Sequence, residues 1–195
     1  MDDLYTPLLE LCRRRHSVRV FEDRSVPAEA VAKIKEIALT SPYASGRKNW
    51  KLEIVDDPLI IQKLVNITDL AASKIADDLR QDFRSMFQTY AHSFSAFSTA
   101  PLLVIPVYKA FATLSYMLNE TNNDILQWER DNYVKSIACV AILTLLAAES
   151  LGLGACFMTG PLLAEKKLKS ALGLRQNQHI GAIIPVGYPA NTTRR

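Results

Sequence analysis

Arg15-His16-Ser17-Val18-Arg19 places two guanidinium groups, an imidazole and a hydroxyl within five residues. Arg13 and Arg14 stand directly before it. Groups of these types can converge charge-assisted donors on the three oxygens of a phosphate, and arginine offers them as a planar fork. Alone, the run also has the look of a solvated basic turn. Little else in the chain promises acid–base chemistry. His16, His92 and His179 are the only histidines; His92 lies among aromatics as a packed residue would, and His179 precedes a strand. No Ser-His-Asp arrangement, metal-ligand spacing or close carboxylate pair is legible. A chain so poor in acid–base groups suits chemistry carried by a cofactor, with the protein supplying orientation and electrostatics.

The elements that must position these residues can be read from periodicity. Thr6-Pro7 has the form of a helix start, a hydroxyl cap followed by proline, with Leu8, Leu11 and Cys12 as its apolar stripe. Pro27 to Thr40 repeats the pattern with Ala30, Val31, Ile34, Ile37 and Ala38 on one face. Leu52 to Val55 alternates as a strand, and Asp56-Asp57-Pro58 caps the next helix. Leu59 to about Phe97 is helical by composition, with breaks expected near Ile67-Thr68 and before the aromatic run Phe83, Phe87, Tyr90, Phe94, Phe97. That three-to-four-residue spacing is expected to pack a core. Leu102 to Tyr108 reads as a strand buried on both faces, Asn119 to Asp124 as a loop, and Asp131 to Leu151 as one helix apolar nearly all round. Such a helix must be enclosed, and a second subunit is the expected cover. A strand at Ala155 to Met158, a basic helix from Leu162 to Leu172 stopped by Gly173, and a last strand from Ile180 to Val186 complete the chain. The sum is an α+β architecture, helices around a mixed central sheet.

Length and composition narrow the rest. The 195 residues suit one domain spanning 1–195, with 49% apolar and 22% charged residues, ordinary for a globular protein. A net charge of +3 is too small to indicate nucleic acid. Cys12, Cys139 and Cys156 are odd in number and widely spaced, as buried thiols of a reducing, cytoplasmic compartment would be. No signal-peptide pattern opens the chain. The uncharged stretch Ser136 to Ala148 falls short of the roughly 20 residues that span a bilayer, so no membrane anchor is expected. A Gly-rich strand-to-helix turn is missing, which removes the P-loop and dinucleotide fingerprints.

Four segments, in this order, carry a resemblance. The first is Arg15 to Arg19. The second is the proline and small-residue loop Ser41-Pro42-Tyr43-Ala44-Ser45-Gly46-Arg47-Lys48-Asn49-Trp50. The third is Ala147 to Pro161, a helix ending in Gly152-Leu153-Gly154, followed by a strand and Thr159-Gly160-Pro161. The fourth is Ile180 to Pro189, with Arg194 and Arg195 after it. Together they resemble the nitroreductase family over nearly the whole chain. The resemblance implies an intertwined homodimer that binds flavin mononucleotide (FMN) and transfers hydride from NAD(P)H to a small oxidised acceptor, a nitroaromatic or quinone, by a ping-pong mechanism.

By the same resemblance, Arg15 with Arg194 or Arg195 would hold the phosphate, and Ser17 and His16 the phosphate or ribityl chain. Arg19 would lie near the pyrimidine edge of the flavin, and the backbone of Thr159-Gly160 near the nitrogen that accepts hydride. Pro42, Tyr43, Ala44 and Gly46 would come from the other subunit, and Asn49 or Lys48 would reach the polar rim in the same subunit. The family usually has Asn where Gly46 stands, Gln where Lys48 stands and often Glu where Thr159 stands; backbone donors survive those changes, side-chain ones do not. Two alternatives come from other classes. A flavin-binding sensor or store without turnover would keep the site but wall off its open face, and a helical interaction module would bind no cofactor.

Overall fold

Strand β2 (Leu102–Lys109) organises the molecule, because its seven residues from Leu102 to Tyr108 are all buried. Successive side chains point to opposite faces of a strand, so a run that is apolar without alternation must be covered on both sides. A computed structural model describes residues 3–44, 49–111, 113–118 and 122–190 of the chain. In it β1 (Trp50–Val55) pairs antiparallel along one side of β2, from Trp50 opposite Tyr108 to Val55 opposite Leu103. The other side of β2 takes β4 (Gln178–Ile180) and then β5 (Ile184–Gly187), and the short β3 (Gly154–Ala155) closes on β5. The strand order is β1-β2-β5-β3, with β4 beside β2. All of these pairings are antiparallel; Ser17, outside the named strands, adds an isolated parallel bridge to Ala155 of β3.

The last strand, expected as one run from Ile180 to Val186, is two strands. Gly181 donates its N–H to the Pro106 carbonyl at 2.7 Å, and Ile183 turns away from β2 to pair with Met158. Proline interrupts the ladder here because it has no N–H to give.

Leu103, Ile105 and Val107 face one layer, made by α3 (Pro58–Asp78), a 3₁₀ turn (Gly160–Ala164) and α7 (Glu165–Ala171). Leu102 and Val104 face the other, made by α2 (Ala28–Leu39) and α6 (Asn123–Ser150) through Ile34, Ala141, Leu145 and Ala148. The remaining helices are α1 (Tyr5–Arg14), α4 (Gln81–Ala91) and α5 (Thr113–Met117).

Several boundaries differ from expectation for local reasons. Asp3, not Thr6, caps α1: its carboxylate accepts from the N–H groups of Tyr5 and Thr6 and from the Thr6 hydroxyl at 2.6 Å. No residue of α1 is buried. Helix α3 runs unbroken through Ile67-Thr68, because the buried Thr68 hydroxyl donates to the Leu64 carbonyl within the helix; the break comes at Leu79–Arg80. Asp57 caps α3 by accepting from the Leu59 N–H at 2.8 Å, as read from the sequence. The aromatic run divides: Phe94 and Phe97 are core, whereas Phe83 and Tyr90 are exposed.

Helix α6 begins two turns before Asp131, where Asn122 caps it by accepting from the N–H groups of Asp124 and Ile125. By length and composition it could cross a membrane, yet half of its most apolar window is buried inside the molecule. The inward face, Ile137, Val140, Ala141 and Ala148, forms core. On the outer face Trp128, Val134 and Ile142 are 57%, 45% and 44% exposed, so this chain alone does not enclose the helix.

Candidate functional site

The basic segment leaves α1 as a strand-like strap. Arg15 donates its N–H to Leu11, and its backbone then opens to an extended ψ of 120°. Val18 donates to the Ala155 carbonyl at 3.1 Å, Glu22 to Tyr188 at 2.9 Å, and Ala190 to Val20 at 3.1 Å. The strap is thereby stitched to β3 and to the end of the last strand. Val18 and Phe21 turn inward and are buried, which leaves His16, Ser17 and Arg19 exposed and Arg15 half-buried. Val18 lies so close to Gly154 that a Cβ there would sit 2.7 Å from it; only glycine lets the strap seat.

Charge separates neighbours on this strap. Arg14 pairs with Glu149 at 3.3 Å, which ties the end of α1 to α6. Arg15 and Arg19 have no carboxylate partner among the described residues. His16 uses Nδ1 toward the Arg14 carbonyl at 3.0 Å. In the tautomer in which Nδ1 carries the proton it donates that bond, and Nε2 is left for another partner.

Thr159-Gly160 lies on the same edge of the sheet. From Ala155 the chain continues through Cys156, whose N–H donates to Pro185, to Met158, which exchanges hydrogen bonds of 3.1 and 2.9 Å with Ile183. Thr159 then caps the 3₁₀ turn with an exposed side chain that makes no capping bond. Gly160 is the first residue of that turn, so its N–H has no intrahelical acceptor. Four residues of extended chain, about 13 Å, separate Thr159 from Ala155, the partner of Ser17.

The second cluster lies elsewhere. Ala44 donates its N–H to the Ser136 hydroxyl at 2.9 Å, holding the Pro42–Ala44 loop on α6. The Tyr43 ring sits 6.2 Å from both Trp50 and Tyr133. Burial, with Tyr133 and Tyr108 nearby, pushes the Tyr43 phenol well above its ordinary value. Asn49 leads into β1, and its carbonyl accepts from the Lys109 N–H at 2.9 Å. Among the described residues, Tyr43 Oη, Asn49 Oδ1 and Trp50 Nε1 are buried without a hydrogen-bond partner. Gly46, Lys48, Arg194 and Arg195 lie outside the described residues.

One chain therefore brings together Arg15, His16, Ser17, Arg19, Thr159 and Gly160, and sets Pro42, Tyr43, Ala44 and Asn49 apart from them. Strands β1 and β3 are the outer strands of the order β1-β2-β5-β3, about 14 Å apart at ordinary interstrand spacing. Sequence reasoning missed two contributors. Phe94 packs on Gly160, and its only signal was membership of the aromatic run. Arg24 stacks 3.7 Å over the Tyr188 ring, a cation–π contact across the strap that no spacing announced.

The nitroreductase family model matches residues 12–188. The Bacillus subtilis protein named "Putative NAD(P)H nitroreductase YfhC" is 24% identical over 95% of this chain and 86% of its own length. Iodotyrosine deiodinase of Hydra vulgaris is 28% identical over 90% of this chain, which spans 62% of that protein. Among solved structures, a BluB-like flavoprotein from Clostridium difficile 630 superposes with a TM-score of 0.84 at 20% identity, covering 96% of this chain and 92% of that one. A nitroreductase with bound FMN from Desulfitobacterium hafniense DCB-2 gives 0.71 at 18% identity, covering 95% and 90%. With a match that runs from the first helix to the last strand, this chain belongs to the nitroreductase family.

Proposed function

We propose that the chain is an FMN-dependent oxidoreductase, a single domain over residues 1–195 that acts as a homodimer and passes hydride from NAD(P)H to a small oxidised acceptor. The observation that carries this reading is the strap beside β3, where Arg15 and Arg19 lack carboxylate partners among the described residues while Arg14 beside them has one. Two uncompensated guanidinium groups, a hydroxyl and a ring nitrogen along one edge fit a phosphate monoester and its polyol chain. The FMN held by the D. hafniense relative has that chemistry.

Arg15, Ser17 and His16 would bind the phosphate end, assisted by Arg194 or Arg195. Arg19 would place positive charge at the pyrimidine edge of the ring, where it favours added negative charge. The N–H of Gly160, which has no acceptor within its turn, would donate to the ring's central nitrogen. Bound FMN would supply reversible hydride chemistry; a single face shared by NAD(P)H and acceptor gives ping-pong kinetics.

The second cluster would serve the partner's cofactor. Pro42, Tyr43 and Ala44 occupy the edge opposite the strap, so one chain cannot close its own site with them. The exposed apolar residues of α6, together with Tyr5 and Leu8 of α1 and Ile37 of α2, helices that both pack on α6, would supply a face for a second copy. Asn49 stands with this cluster, which favours a contact across the dimer for it as well.

A second reading has its own support, since the Hydra relative is named as a deiodinase. Reductive removal of halide would use the same FMN and strap with a different acceptor. Titration of the chain with FMN, followed by anaerobic bleaching with NADH or NADPH, tests the cofactor and reductant. Reoxidation by a nitroaromatic or quinone supports the first reading; halide release from an iodinated phenol supports the second. Bleaching that fails with both nicotinamides, on a chain that binds FMN, would leave a flavin store.

A further inference from the structure

The glycine of the Thr159-Gly160 turn is set against an aromatic ring. A Cβ built on Gly160 would overlap Cδ1 of Phe94 and lie 2.7 Å from its Cγ and Cε1. Phe94 has little room to retreat. It is 7% exposed and clusters with Ala72, Ala91, Phe87 and Leu163. Its N–H donates to the Ala91 carbonyl at 2.8 Å, which fixes it to the end of α4. Phe87 meets it edge-on at 6.3 Å and Tyr90 at 4.8 Å. Tyr90 is 65% exposed, so a run of rings leads from the surface of α4 to the turn. The φ of Gly160 is not in the left-handed region, so an alanine there meets the ring and no backbone penalty.

We propose that Phe94 is a positioning residue for the cofactor: it sets the height of the Thr159-Gly160 backbone against the flavin ring, so that α4 and the turn are one mechanical unit. The inference rests on the FMN reading. It gives the glycine a reason beyond close approach to a ligand, since the space of its missing side chain belongs to Phe94. Close-packed rings transmit displacement because interiors yield little, and a shift of the turn re-aims the N–H that would meet the ring.

A double-mutant cycle tests it. FMN affinity is measured by fluorescence titration of the full chain and of Gly160→Ala, Phe94→Ala and the double variant, with the melting temperature of each chain without FMN taken in parallel. Gly160→Ala is expected to weaken FMN at least tenfold and to shift the visible absorption of the bound flavin. Phe94→Ala alone, which takes away the ring that supports the turn, is expected to weaken FMN severalfold and shift its spectrum, and the double variant, with space for the new methyl group, to bind better than Gly160→Ala. Parental affinity in Gly160→Ala would overturn the proposal, as would a double variant that binds no better than Gly160→Ala. Rescue confined to the melting temperature would assign Phe94 to packing alone and overturn it too. A parent chain that takes up no FMN removes the cofactor reading itself, whereas a parent that binds FMN with uncoupled variants removes only the role of Phe94.

Discussion

The two outer edges of the sheet solve opposite problems. At β3 the strap leaves charge unpaired in the open, with Arg15 and Arg19 beside solvent and lacking carboxylate partners among the described residues. At β1 polar atoms of Tyr43, Asn49 and Trp50 are buried without a partner among the described residues. The first state costs little in water but provides a ready grip for an anion. The second costs about 1–3 kcal/mol for each group left unsatisfied. The contrast locates adaptability at β3 and cost at β1, and in the proposed dimer a second chain joining the two edges would give both a use.

The largest effect expected is at the open edge. Removing Arg15 and Arg19 together should lower FMN affinity roughly 100-fold or more, since each charge-assisted contact is worth about 1.5–3 kcal/mol. The melting temperature of the chain without FMN should hardly move, because neither side chain is in the core. An unchanged FMN titration of a folded double variant would erase the distinction between the edges.

In the proposed dimer, joining the edges would depend on the exposed apolar face of α6. Val134→Glu with Ile142→Glu should weaken self-association at least tenfold, since an apolar interface accepts an unpaired charge poorly. Equilibrium sedimentation measures it, and FMN affinity should fall in step because the Pro42–Ala44 loop is lost with the partner.

At the buried edge, Tyr43→Phe removes a hydroxyl with no partner among the described residues. The isolated chain should be unchanged or more stable by about 1 kcal/mol in urea unfolding. If the partner or its cofactor uses that hydroxyl, the dimer should lose what the single chain gains, which sharpens the comparison. Tyr43 and Tyr108 also set an alkaline limit. Burial raises both phenols above the ordinary value of 10.0, so the folded chain keeps protons that the unfolded chain has lost. Their contribution is complete below pH 10 and is lost as the pH rises from there toward the folded values. Thermal melts from pH 8 upward should decline beyond about pH 10, and less steeply in Tyr43→Phe. Arg14→Ala should matter least. It breaks an ion pair whose arginine is largely exposed, worth about 1 kcal/mol or less.

Much of this was legible in the residues, and the exceptions share a cause. β2 announced itself through seven consecutive apolar or proline positions, and Asp57-Pro58 marked the start of α3 through local chemistry. The caps at Asp3 and Asn122 were missed because each depends on which side chain reaches which N–H, a choice that spacing leaves open. The division of the last strand needed Pro106, a residue on another strand. The strap residues stood out by type, but whether their charges were already paired could not be read. That depended on Glu149, about 130 residues away in sequence, choosing Arg14 and not its neighbours. Phe94 was visible only as one aromatic among five; that it fills the missing side-chain space of Gly160 is a property of the packed layers alone.

Sedimentation velocity of the FMN-saturated protein, recorded at both protein and flavin wavelengths, tests the central claim most directly. The account predicts that flavin absorbance travels with a species of twice the chain mass and is absent from any slower boundary. Flavin carried by a stable single chain, or a pair of chains that leaves all flavin behind, would contradict it.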